Sequence, residues 1–551
     1  MTRIREKKEP TQQQNEIIQY EGNLVVLAKP GSGKTFTISQ KIRLILERSL
    51  EFQGVIAISF TNKASKELKN RVLNGGVDKK GSFFDTMTTF YLMEIIYPFG
   101  SHIFGKASND FKVCSKDATE LEVINFREHN TNLNYDSPPI DIILKLGELY
   151  KKGLILIEAI DALAVFIFDN CYACRRYLKY KYTHIFIDEY QDCGYMQNEL
   201  FKRLVNEGLV GVAVGDKDQS IYGFSGKSSE YLIALASDRR FRPYYLDKNF
   251  RCHQSISDYS LRLLNSDYQV NTSVEKRVVR LRVQGKEQQI AEFIENNIAM
   301  FKTRFGIQDN NKFAILVKNN KTGENISKAL SIKHKLFKRT AIDEDSSLWS
   351  GVFKNIMMCI QADNYSSYEF CEEYFDPFTD EKCFKELYGL IEVVKENFNT
   401  DISVKLKCYQ DVAEKIYPKA YNEQALSKLR EVLSDTTSLD SFSPALKEEI
   451  QIMTLHKSKG LEFAVVFHLD LNKFILPEEG SYDGVWQYKD YEQCKNLHYV
   501  GITRAEELCV LVTSTIRTNS SGQEKQGSPS EFFQINDLDD YSLKWQDFII
   551  Q

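Results

Sequence analysis

A chain of 551 residues is too long for one hydrophobic core, and three to four domains are expected. Its 42% hydrophobic and 27% charged content is globular and excludes a disordered or fibrous chain. The formal net charge of −5 excludes a bulk polycation, so any nucleic-acid contact must come from a local groove.

The first residues lack an apolar stretch of signal-peptide type, and no run of about 18 apolar residues predicts a membrane span. A cytoplasmic chain with its 11 cysteines mostly reduced is therefore expected. Cys171 and Cys174 form a C-x-x-C without a second pair at metal-site spacing, so buried thiols are favoured over a metal.

In chain order, an apolar run at Leu24–Ala28 predicts a strand, and Thr37 to Leu50 a helix. Between them lies Ala28-Lys29-Pro30-Gly31-Ser32-Gly33-Lys34-Thr35. This strand–loop–helix order suits a phosphate-binding loop. Gly31 and Gly33 let backbone N–H groups, Ser32 included, close around phosphates without a Cβ clash. Lys34 can reach the β and γ phosphates, and the Thr35 hydroxyl can ligate Mg²⁺.

A second strand is predicted at Val55–Ser59, and the pattern turns helical from 96 to 180. Strands return at His184–Ile187, Gly211–Val214 and Tyr244–Leu246. The first of these runs into Asp188-Glu189-Tyr190-Gln191-Asp192. Asp188 suits a Mg²⁺ ligand, and Glu189 suits a group that orients the attacking water. A further set of strands follows Arg251, at Val278–Val283, Phe313–Val317, Ile450–Thr454, Val465–Leu469 and Leu508–Thr513.

The fold class is thus α/β, with two parallel-sheet cores that each carry a helical insertion. The expected boundaries are 1–95 and 181–247 for the first core, split by the insertion 96–180. The second core takes 248–340 and 446–518, split by the insertion 341–445. Residues 519–551 form a Gly/Ser-rich linker, Asn519–Ser530, and a tail expected to dock on the body.

Six further stretches, in order, resemble the UvrD/Rep family of superfamily 1 helicases. Pro10-Thr11-Gln12-Gln13-Gln14 resembles its Q motif, with Gln14 at the adenine-reading position. Phe60-Thr61-Asn62-Lys63-Ala64 resembles motif Ia, and Val214 to Phe224 motif III. Asn249-Phe250-Arg251 resembles motif IV, Met453 to Phe463 motif V, and Tyr499 to Ala505 motif VI. The matches run from residue 10 to about 512 and so span both cores.

The resemblance implies RecA-like cores with ATP and Mg²⁺ between them. It places Gln219 near the γ-phosphate, Glu462 at the ribose, and Arg251 and Arg504 on the phosphates from the second core. Guanidinium groups suit that role because they stay charged and bind phosphate oxygens bidentately. It places Phe60, Tyr222 and Phe224 as stacking platforms for single-stranded DNA. Thr61, Asn62, Lys63, Thr88 and His456 are implied as further DNA contacts.

The chain departs from the family pattern in places. Phe36 stands where an arginine usually stacks on adenine, and Phe250 replaces a tyrosine. Adenine between two phenyl rings would keep stacking and lose charge. Thr86-Met87-Thr88-Thr89-Phe90 lacks the histidine usual in motif Ib, and Phe224-Ser225 replaces a Trp-Arg pair.

The insertions are short, about 85 and 105 residues. The second is rich in Tyr365, Tyr368, Phe370, Tyr374, Phe375 and Phe378 among acidic residues. That composition is wrong for gripping phosphate. A small helical core is expected there, with a protein-partner surface as the sharper alternative.

The resemblance therefore implies an ATP-dependent translocase on single strands and single/double-strand junctions, unwinding duplex 3′ to 5′. No fused nuclease is expected, since about 45 residues follow motif VI. The alternative is a DNA-sensing NTPase subunit. Compact chains of this style resemble the helicase-like subunit of Gabija-type anti-phage systems, which pair with a nuclease.

Overall fold

A computed structural model describes residues 9–550, apart from 61, 110, 115–119, 132, 222–226, 346, 362–364, 376, 378–379, 419, 483–484 and 519–522. Among the described residues, thirteen strands build two large sheets, and each sheet is parallel throughout.

The first sheet uses β1 (Leu24–Ala28), β2 (Gly54–Ile58), β3 (Phe83–Asp85), β4 (Tyr182–Ile187), β5 (Val210–Gly215) and β6 (Arg242–Leu246). Their order is β3-β2-β4-β5-β1-β6. β1 lies between β5 and β6, with Val26 beside Val214 and Tyr244. β2 is buried along its whole length, as expected of a parallel strand covered on both faces.

The second sheet uses β7 (Val278–Val283), β8 (Phe313–Val317), β9 (His334–Phe337), β10 (Ile450–Thr454), β11 (Phe463–His468), β12 (Ala505–Ser514) and β13 (Leu543–Lys544). Their order is β9-β10-β8-β11-β12-β7-β13.

The C-terminal stretch is more ordered than a linker and a tail. Ile516–Thr518 and Glu524–Gln526 pair as a small antiparallel ribbon. Residues beyond it add β13 to the sheet edge and bury Phe532, Leu538 and Phe548. The apolar spacing of these residues outweighs the Gly/Ser content of the segment before them.

The two helical insertions pack against each other. Helices Ile140–Lys151 and Ile160–Asn170 of the first share one apolar cluster with Leu348–Gln361 and Ile402–Ile416 of the second. Asn422 Nδ2 donates to the Val113 carbonyl across this joint at 2.8 Å, with both groups buried.

The aromatic segment lies largely in this core. Phe370 is fully buried, and Tyr374 and Phe375 pack against the cluster. Tyr374 Oη accepts from Asn355 Nδ2 at 2.8 Å. Only Tyr368 of the group is well exposed among the described residues, and Phe378 lies outside them. The acidic neighbours have a local purpose. Glu373 pairs with Lys66 at 2.6 Å, and Lys69 donates to the Glu372 carbonyl at 3.1 Å. Both lysines stand on helix Asn62–Leu73 of the first core.

Candidate functional site: a cleft between two sheets

The site gathers where strands of both sheets end. Helix Lys34–Arg48 begins directly after Gly33, which holds a left-handed φ of 83°. Gly31 also has a positive φ, 68°, and is crowded as well: a Cβ there would lie 2.6 Å from Arg251 Cβ. Backbone N–H groups at this helix start face the cleft with a favourable dipole for anions.

Gln14 closes one side of the loop. Thr11 and Gln14 form a reciprocal cap on helix Gln12–Gln19, and Gln14 Nε2 donates to the Ser32 carbonyl at 3.1 Å. One residue thus fixes its own helix and the phosphate loop. Lys29, earlier in the loop, pairs with Asp218 at 2.6 Å.

β4 delivers the acidic pair. Asp188 N donates to the Ile58 carbonyl at 3.0 Å, which continues the sheet by one residue. Glu189 then adopts φ 57°, ψ 40°, a left-handed conformation that costs a non-glycine residue about 1–2 kcal/mol. This turn aims its carboxylate at Lys34, 3.3 Å away.

Burial would raise Glu189, but Lys34 and then Lys459 outweigh it and hold the group well below the usual carboxylate range. Asp188 moves the other way, raised by burial and by the Glu189 charge. Among the described residues it has no cation within salt-bridge distance. Asp216 is raised to about 6 by burial, against the pull of Lys34 and Lys29, and its Oδ2 has no hydrogen-bond partner.

The second core closes the other side. Phe250 N donates to the Gly31 carbonyl at 2.8 Å, so motif IV lies directly on the phosphate loop. The Phe250 ring is 44% exposed with Lys248 Nζ 5.2 Å from its centre, while Phe36 is half-buried. Arg251 Nε donates to Glu462 at 3.0 Å, which ties together two residues expected at opposite ends of the nucleotide.

Arg504 is 1% exposed, not the surface ion pair that a lone arginine suggests. Its guanidinium donates to Val500 O, Leu461 O and Thr503 Oγ1, all neutral. Burial and the neighbouring Arg251 lower it to about 10. A buried cation with only neutral partners is costly unless an anion joins it.

Three residues that sequence motifs alone do not single out complete the cleft. Gln191, fully buried, accepts from Asp216 N at 3.0 Å and donates to Glu189, linking the acidic stretch to motif III. Lys459 of motif V reaches across the cleft to Asp192 at 2.6 Å and to the Gln219 carbonyl at 2.9 Å. Asp192 and Gln219 are both buried. The signal for Gln191, Asp192 and Lys459 was present, since all three lie within the acidic stretch and motif V. Spacing alone does not say which of their side chains face the cleft.

The residues expected on the DNA side are spread along both cores. Phe60 is half-buried, with Lys227 Nζ 4.6 Å from its ring centre. Thr88 sits half-buried in the short helix Met87–Phe90. Burial and the charges of Lys318, Arg339 and Lys459 lower His456 to about 4, so it stands neutral in a cationic neighbourhood. Thr61, Tyr222 and Phe224 lie outside the described residues, as do the side chains of Asn62 and Lys63. Cys171 and Cys174 are buried, with burial pushing the Cys174 thiol far up.

Comparison with known proteins agrees with this geometry. The family model described as AAA domain matches residues 13–225, and that of the UvrD-like helicase C-terminal domain matches 361–515. The chain is 26% identical over 522 residues to the Gabija protein GajB of Bacillus cereus, covering 90% of this chain and 94% of that protein. It is 22% identical over 619 residues to the ATP-dependent DNA helicase PcrA of Staphylococcus epidermidis, covering 93% and 84%. The same helicase of Staphylococcus aureus is 21% identical over 629 residues, covering 95% and 85%. With two parallel-sheet cores meeting at a phosphate loop and an acidic pair, the chain belongs to the UvrD-like superfamily 1 helicases.

Proposed function

We propose that this chain is an ATP-driven motor on single-stranded DNA, with helicase action in the 3′ to 5′ direction. The observation that carries the ATP part is the junction itself. Lys34 and Glu189 of one core meet Lys459, Arg251 and Arg504 of the other within one cleft.

The residues present fit a magnesium nucleotide. A loop with no room for a Cβ at Gly31, the orphaned Asp216 Oδ2, and Arg504 lacking a counter-charge all suit a polyanion with its cation. Thr35 and Asp188 would hold Mg²⁺, which when bound supplies positive charge to the phosphate oxygens. Lys34 neutralises the phosphates, and Glu189 orients the attacking water and takes its proton. Arg251 and Arg504 stabilise charge developing on the γ-phosphoryl group. Doing so releases Arg251 from Glu462, which frees that carboxylate for the ribose.

Closure of the cleft then moves one core against the other, and stacking residues on each core step along the strand. The similarity to the Gabija protein along 94% of that protein's length favours a second reading. In it the chain is the DNA-sensing NTPase of a cytoplasmic anti-phage assembly and works beside a nuclease. No helix among the described residues is long and apolar enough to cross a membrane.

Steady-state ATPase with and without single-stranded DNA tests the core proposal. Stimulation is expected, and Phe60→Ala should lower the stimulated rate more than the basal one. A rate indifferent to single strands overturns the motor. Displacement from 3′-tailed but not 5′-tailed duplex is expected. Stimulated ATPase without displacement on either tail favours the sensing subunit.

A further inference from the structure

Phe60 stands at the same edge of the first sheet as the ATP carboxylates. β2 and β4 run side by side with Ile58 level with Ile187, so Phe60 and Glu189 each lie two residues past paired strand ends. Helix Asn62–Leu73 begins two residues beyond the ring and has no acidic residue in its first turn. Its unsatisfied N–H groups make that end of the helix attractive to anions.

A cation reaches this point from another part of the chain. Lys227 Nζ lies 4.6 Å from the centre of the half-buried Phe60 ring. The backbone beside it is fixed, because Ser228 N donates to the Cys193 carbonyl at 3.2 Å, just after the acidic stretch. Burial lowers the ammonium from its ordinary value against the pull of Asp192, Cys193 and Asp161. The two carboxylates have partners of their own. Asp192 Oδ2 pairs with Lys459 at 2.6 Å, and Asp161 Oδ2 accepts from Gln197 Nε2 at 3.2 Å. In the sequence, Lys227 is the first cation after Lys217, in the stretch where Phe224-Ser225 stands in place of a Trp-Arg pair.

We propose that Lys227 is a phosphate contact for the single strand that stacks on Phe60, supplying the cation that Ser225 does not. The inference rests on the DNA reading above. Ring, helix start and ammonium are what one nucleotide needs: a face for the base, and two positive features for its phosphate. A base that takes the ring moves the ammonium aside by side-chain rotation, and the phosphate of the strand receives it. The exchange is favourable because the ring offers a cation only its quadrupole, whereas the phosphate offers a full charge. An ammonium already half out of water also gives up less hydration than an exposed lysine in making that contact. The position joins DNA to ATP as well. The Lys227 charge acts on Asp192 and Lys459, the pair that spans the two cores, so a phosphate drawn to Lys227 changes the field at that pair.

Fluorescence anisotropy with a labelled oligothymidylate at increasing salt tests this on wild type, Lys227→Met and Lys227→Arg. Methionine keeps an apolar stem and removes the charge. Its affinity for the strand should fall about tenfold, the scale of one charge-assisted contact. The slope of log affinity against log salt should become shallower by about 0.7, the value of one phosphate on a single strand. Arginine should restore both. Urea melts of the same proteins separate a structural role. A cation needed only for folding would lower the midpoint of Lys227→Met and leave the salt slope alone, and that result overturns the proposal. Wild-type affinity and slope in Lys227→Met overturn it too. Wild-type protein that binds no single strand in any nucleotide state overturns the motor reading itself, a different result from either.

Discussion

Lys459 Nζ lies 2.6 Å from Asp192 Oδ2, and the two belong to different cores. The pair is nearly excluded from water, at 11% and 2% side-chain exposure. The same ammonium stands 3.9 Å from Glu189 and donates to the Gln219 carbonyl. One lysine therefore touches the acidic stretch, motif III and the opposite sheet. Asn496 adds a second tie, donating to the Ser220 carbonyl at 3.1 Å.

Lys459→Met should uncouple the cores. Leaving a buried carboxylate unpaired typically costs about 3–5 kcal/mol. A third of that, placed on cleft closure, is already tenfold in rate. DNA-stimulated ATPase should drop at least about tenfold, and adding Asp192→Asn should recover part of it. Steady-state kinetics on the two single variants and the double variant check this; strict additivity would mean that the pair does not couple.

Lys34→Ala and Glu189→Gln should both abolish turnover and differ in binding. The first removes the phosphate counter-charge and weakens nucleotide affinity. The second keeps shape and leaves Asp188 in place, so nucleotide should still bind. Asp188→Asn should raise the Mg²⁺ concentration needed for half-maximal rate. Near-normal turnover in Glu189→Gln would remove it from the mechanism.

Phe370→Ala should destabilise the second insertion by about 3–5 kcal/mol, the usual cost of a cavity that size. Tyr374→Ser should act in the same direction through the missing ring and the lost hydrogen bond from Asn355. Urea melts measure both. A variant that melts like the wild type would return this segment to the surface.

The buried histidine pair sets a pH dependence. His498 Nδ1 and His468 Nε2 are 3.0 Å apart, and His468 Nδ1 donates to the Leu469 carbonyl at 3.0 Å. Burial lowers His468 to about 4 and His498 well below its ordinary value. The unfolded chain therefore takes up protons below about pH 6.5 that the folded chain refuses. Stability from this source is complete above that pH and declines as pH falls toward 4. The slope reaches at most about 1.4 kcal/mol per pH unit for each histidine. Melts of wild type and His498→Gln between pH 7 and 5 should show a shallower decline in the variant; identical slopes would count against it.

The sequence by itself determined the local chemistry. Strand–loop–helix order with Gly31, Gly33, Lys34 and Thr35 defines a phosphate loop, and apolar runs of strand length define two parallel sheets. Both follow from local patterning, which needs no knowledge of distant partners. Tertiary structure alone decided what each charge faces. Arg504 and Lys459 read alike as cations in a motif, but one is buried against neutral carbonyls and the other spans the cleft to Asp192. The aromatic segment around Phe370 read as a small core with a partner surface as the alternative, because composition does not say which neighbour covers it. The first insertion and the helix carrying Lys66 do cover it. The Gly/Ser signal of looseness belonged to the linker 519–530, and the apolar tail beyond it, expected to dock, completes the second sheet. Strand addition depends on an edge being free, and β7 supplies that edge only once the sheet has formed.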